Sequence, residues 1–225
     1  MSYNLLKNNI VNISGEVVSE PVYSHSVHND VFYEFQIKVE RLSNSFDILP
    51  VLVSEKLMIE NDIKIGSLVS GGGQFRSYNK LEDGKSKLVL SVFLKDIWEY
   101  QESENPNSIE MIGYVCKEPI FRVTPFNREI CDVLLAVNRG YNKSDYIPCI
   151  AWGKNARVVQ NFEIGDKVYL NGRIQSREYQ KKIGEEIVTR VAYEVSISKI
   201  DLIVEETDVK SMQTSAGKLE NYYVR

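Results

Sequence analysis

Asp145–Ala156 reads DYIPCIAWGKNA, and Gly165–Tyr179 reads GDKVYLNGRIQSREY. Successive side chains of a β-strand point to opposite faces. In the first stretch that sets Ile147, Cys149 and Ala151 against Tyr146, Pro148, Ile150 and Trp152. In the second it sets Val168, Leu170 and Ile174 against Tyr169, Asn171, Arg173, Gln175, Arg177 and Tyr179. Each strand therefore has one side suited to a core. The other interleaves aromatic rings with guanidiniums, which a core does not explain. Between them the period changes: Ala156, Val159 and Phe162 recur at helical spacing over Gly153–Phe162, ending near Gly165.

Flanking segments complete a pattern. Ile109–Cys116 and Ile130–Asn138 read as strands on either side of a turn region through Thr124-Pro125-Phe126-Asn127. Ile187–Ile200 follows a hairpin through Lys182-Ile183-Gly184. Three strands, a short helix and two strands is the order of the OB-fold, a five-stranded Greek-key barrel that binds single strands across one face.

The same pattern occurs earlier in the chain. Displacement by 98 residues brings eleven identities into register over 15–56, among them Gly15 on Gly113, Glu20-Pro21 on Glu118-Pro119, Arg41 on Arg139, Asp47 on Asp145, Pro50 on Pro148 and Lys56 on Lys154. Composition alone supplies roughly two or three. A shift of 99 aligns Gly66 with Gly165 and Gly73 with Gly172. The chain thus reads as an all-β pair of tandem OB-folds: 1–104, then 105–204, then a flexible tail over 205–225. The polar stretch 99–106 is the linker.

Composition sets limits. The 225 residues are 43% hydrophobic and 26% charged, within the globular range. With no eighteen-residue apolar run and no signal-peptide pattern at the start, a soluble, cytoplasmic protein is expected. Cys116, Cys131 and Cys149 are odd in number and lack C-x-x-C spacing, so they read as small buried side chains in a reduced protein. Net charge is −4, but unevenly spread: residues 1–105 carry 10 Lys+Arg against 15 Asp+Glu, and 106–225 carry 17 against 16. Of the two copies, the second is the better candidate for any anionic partner.

The second copy resembles the bacterial single-stranded DNA-binding protein family over nearly all of 107–203. The residues that carry the resemblance are Arg122-Val123-Thr124-Pro125, Leu135–Arg139, Asp145–Ala156 and Gly165–Tyr179. The resemblance implies base-stacking aromatics at Tyr141, Tyr146, Trp152 and Tyr179. It implies backbone-tracking cations at Arg122, Lys154, Arg173 and Arg177. Stacking is sequence-tolerant because every base has a π-face, so the expected partner is single-stranded DNA, with a role in replication, recombination or repair. Members of the family assemble four OB domains, which implies a homodimer here. Many end in an acidic, phenylalanine-tipped tail; this sequence ends in Tyr-Tyr-Val-Arg, and that recruiting role is not carried over.

The first copy departs from this pattern. Ser43, Ile48 and Ser54 stand for Tyr141, Tyr146 and Trp152, and of the basic strand only Arg76 and Tyr78 remain. It is expected to contribute little stacking and to serve mainly in architecture or assembly. The glycine triplet 71–73, with no following Lys-Ser/Thr, marks a bend or close backbone approach. His25 and His28 fall in an expected solvated loop. No catalytic constellation, metal site or cofactor motif stands out, and a non-enzymatic protein is expected. The alternative from another class is an OB-fold interaction module whose main partner is protein, favoured by the acidic first copy. RNA also stays open, since stacking does not read the sugar hydroxyl.

Overall fold

A computed structural model describes residues 7–82, 84–102, 105–184 and 186–204. The proposed tail over 205–225 and part of the linker lie outside these residues. The first copy comprises β1 (Asn9–Val17), β2 (Val22–Val27), β3 (Asp30–Glu40), β4 (Phe46–Ser54), α1 (Glu55–Glu60), β5 (Leu68–Glu82) and β6 (Lys85–Trp98). The second comprises β7 (Asn107–Val115), β8 (Ile120–Val123), β9 (Glu129–Arg139), β10 (Lys143–Trp152), α2 (Lys154–Val159), β11 (Lys167–Ile183) and β12 (Glu186–Leu202).

Each copy closes on itself. In the second, the hydrogen-bonded order is β7-β11-β12-β10-β9, and β9 returns to β7 through Tyr114↔Ala136 and Val115↔Leu135. Strands β10 and β12 run parallel and the other barrel pairs antiparallel. The first copy repeats the circuit through β1, β5, β6, β4 and β3. These are the two tandem five-stranded OB barrels read from the sequence. The short β2 and β8 extend them by pairing along β3 and β9; four residues are too few for β8 to announce itself by alternation. Helix α2 is also shorter than the periodicity suggested, with Ala156 and Val159 buried and Phe162 against the core just beyond it.

Alternation fills the interiors. Phe75, Ile37, Leu49 and Val51 pack inside the first barrel, and Leu135, Ile147, Leu170 and Ile174 inside the second, all essentially without solvent contact. The glycines of β5 mark a close approach. At Gly73, beside a β-bulge, an added Cβ would collide with the Phe93 carbonyl, and at Gly172 with that of Ser196.

The two barrels are joined by a continuous sheet. β1 pairs antiparallel with β7 over residues 9–13 and 107–111, and Val11 lies opposite Ile109, its own duplicate. The junction is therefore a pseudo-two-fold. Its flanks repeat accordingly: Ser14 N–H donates to the Pro106 carbonyl (2.8 Å) and Ile112 N–H to the Asn8 carbonyl (2.9 Å). Buried Asp47 accepts the Ser176 N–H (2.7 Å), and buried Asp145 accepts the Ser77 N–H (2.8 Å). Arg41 pairs with Asp47 and Arg139 with Asp145, so each buried carboxylate has a cation.

Candidate nucleic-acid interface

On the second barrel, β10 presents Tyr146, Pro148, Ile150 and Trp152 outward while Asp145, Ile147, Cys149 and Ala151 are buried. Ile150 is outward yet covered, so the face has an apolar floor between two exposed rings. Tyr146 is 44% exposed and Trp152 38%. The Tyr146 N–H donates to the Ser77 hydroxyl across the seam (2.7 Å), which ties the backbone at that residue to the barrel junction. Trp152 precedes Gly153, whose φ of 51° lets the chain turn directly into α2.

Tyr141 sits at the tip of the turn between β9 and β10, 84% exposed, with a left-handed φ of 61° that a bulky side chain seldom adopts. Tyr179 lies on the outer arm of β11, 36% exposed, with the Arg177 guanidinium 5.9 Å from its ring centroid. The sheet thus brings Tyr146, Trp152 and Tyr179 to the outside of one barrel, with Tyr141 at its edge.

The cations differ in their freedom. Lys154, opening α2, is exposed. Arg173 is half-buried on β11 beside Ser196 of β12. Arg177 lies 3.5 Å from Glu194, and Arg122 is held by Asp132 at 2.7 Å. The Arg122–Asp132 pair is exposed and worth about 0–1 kcal/mol, so a phosphate can displace that carboxylate, whereas the Glu194 beside Arg177 is buried. Gln175, outward by alternation, is buried and donates to Glu194 (2.8 Å); it is a prop for that acid rather than a ligand contact.

Sequence reading missed three features. Arg190 of β12 stands directly across from Tyr179; only strand register reveals that pairing. Phe126, 86% exposed, tips the β8–β9 turn. Between the two β-hairpin arms lies a cavity of about 1180 Å³, lined from both copies by Tyr78, Lys80, Lys85, Tyr179, Lys181 and Lys182 among others. Its acids, Glu20 and Glu34, come from the first copy. Among the described residues no group of three or more His, Cys, Asp and Glu is placed to hold a metal ion, and no helix is long and apolar enough to cross a membrane. His25 departs from the loop reading: it lies in β2, exposed, while His28 is in the turn that follows.

The model of the Single-strand binding protein family matches residues 106–203. A relative from Streptococcus agalactiae, "Single-stranded DNA-binding protein 3", is 35% identical over 125 residues, covering 52% of this chain and 87% of its own length. The chain belongs to the single-strand binding protein family. "Single-stranded DNA-binding protein A" of Bacillus subtilis is 33% identical over 96 residues, 39% of this chain and 56% of that relative. The fold of both copies together is similar to the crystal structure of the wild-type single-stranded DNA binding protein from Thermus aquaticus. That likeness has a TM-score of 0.69 and 17% identity, and covers 88% of this chain and 93% of the other. The family match falls on the second barrel, which carries Tyr141, Tyr146, Trp152 and Tyr179.

Proposed function

We propose that this family member binds single-stranded DNA with little sequence preference and without catalysis, protecting it during replication, recombination or repair. Bases stack on Tyr141, Tyr146, Trp152 and Tyr179, and Arg122, Lys154, Arg173 and Arg177 track the phosphates. The observation that carries this reading is the exposure of four aromatic rings on a barrel whose interior is already filled by aliphatic side chains. Each of these residues keeps between 36% and 84% of its surface open to solvent, where a base can stack. A stacked base contributes about 1–3 kcal/mol, so Tyr146→Ala or Trp152→Ala weakens binding about tenfold or more. Anisotropy titration with labelled oligo-dT tests it. In a Trp98→Phe background, stacking also quenches Trp152 emission. Wild-type affinity in both alanine variants, with no quench, leaves the protein-interaction reading instead.

Two barrels per chain, and the prevalence of closed two-fold assembly, support a homodimer presenting four barrels. Light scattering at twice the 25.8 kDa chain mass is the expected result; a monomer would remove it.

A further inference from the structure

The outer face of the first barrel carries rings at positions the second barrel does not use. Ser54, which replaces Trp152, accepts the Leu57 N–H as the cap of α1 (3.3 Å). Its partner across the ladder is Phe32, whereas Trp152 is paired with Ile130. The aromatic residue has moved to the neighbouring strand at the same level. Likewise Leu52↔Phe93 matches Ile150↔Ser196, so Phe93 stands where the second barrel has serine.

These rings are contiguous. His25 stacks on Phe32 with centroids 5.1 Å apart and planes at 20°. Phe32 and Phe93 are 5.8 Å apart, and the Arg76 guanidinium lies 4.0 Å over the Phe93 ring. They are not core, since Phe75, Val92 and Leu94 fill the interior there. The strip's cations, Arg76 and Lys95, are each made less basic, first by burial and then by a neighbouring cation, Arg139 in the case of Arg76 and Arg76 in the case of Lys95. Among the described residues neither has a carboxylate within ion-pair distance, although Asp96 and Asp145 act on them more remotely. Arg76 donates to Gln74 instead (2.9 Å). Two partly desolvated cations without a close carboxylate favour an anionic occupant, and the rings beside them favour one that also carries flat bases. The strip also reaches the seam: Ser77, next to Arg76, is the residue that accepts the Tyr146 N–H.

We propose that His25, Phe32, Phe93 and Arg76, with Lys95, form a second stacking platform for single-stranded DNA, onto which a strand leaving the second barrel at Tyr146 continues. This rests on the DNA-binding reading above. Bases lie along the rings, and the guanidinium and ammonium meet phosphates as the strand crosses.

The test uses the full chain and the second barrel's own residues: Phe93→Ser, Phe32→Ile and Arg76→Gln, each already accommodated at Ser196, Ile130 and Gln175. Oligo-dT of about 10 nucleotides suits one barrel and about 30 suits two. The ratio of long- to short-oligonucleotide affinity is expected to fall tenfold or more in the triple variant. Photo-cross-linking of the wild-type chain with iodouracil-substituted 30-mer should label peptides within 22–36 or 85–98 as well as 141–179. An unchanged ratio, or cross-links confined to 141–179, overturns the second platform while leaving the first. If Tyr146→Ala and Trp152→Ala instead bind the short oligonucleotide like wild type, the DNA-binding reading itself falls.

Discussion

At the residue scale, two kinds of side chain report on the structure directly. Tyr141 combines a left-handed backbone with a largely exposed ring, a conformation that disfavours L-residues by roughly 1–2 kcal/mol. Tyr141→Gly is therefore expected to leave the melting temperature unchanged or raise it by a few degrees, while weakening oligo-dT binding. A clear fall in melting temperature would show that the tyrosine is there for packing. The cysteines form a second test. Burial, with Asp132 nearby, pushes the Cys131 thiol up to about 11, and burial pushes Cys149 up further still. A raised thiol pKa means a protonated, unreactive group at pH 8. Cys116, half-buried, also has its pKa raised by burial. Disulfide reagents at pH 8 should label Cys116 first and the other two only after unfolding in guanidinium; early labelling of Cys149 would contradict its place in the core.

At the element scale, β10 and β11 were legible because alternation is local: each needs only its own sequence to say which side is wet. Helix α2 and the glycine triplet were legible for similar reasons, one by its change of period and the other by lacking phosphate-loop chemistry. What stayed hidden was β8, too short for a period, and the covering of Gln175, which depends on Glu194 from another strand. His25 was misplaced because a strand of exposed residues looks like a loop when no apolar partner alternates with it. In β5, Gly73 is required by the nearby Phe93 carbonyl. Gly73→Ala is expected to destabilise by about 1–3 kcal/mol, as overpacking does, measured as a lower denaturant midpoint at constant slope. A wild-type midpoint would mean the bulge relaxes freely.

At the scale of the whole molecule, the duplicated barrels share one sheet and a set of reciprocal contacts. Asp145→Ala strips a charged acceptor from the buried Ser77 N–H and leaves Arg139 without its partner. Losing a charged hydrogen bond costs about 1.5–3 kcal/mol, which for a chain of this length lowers the melting temperature by roughly 3–12 °C. Because β1 and β7 continue each barrel into the other, calorimetry is expected to show a single transition; two resolved transitions would mean that the shared sheet does not couple them. Binding should weaken with salt, by a log–log slope of about −0.7 per phosphate neutralised on a single strand. A flat salt response would exclude the cationic positions. From the sequence alone came the two barrels, their duplication and the wet face of the second, because these follow from side-chain periodicity along single strands. Only the folded chain decided how the barrels join and that His25, Phe32, Phe93 and Arg76 meet. Strand pairing is made by backbone groups that every residue but proline supplies, so the register that gathers distant side chains leaves no mark in the order of residues.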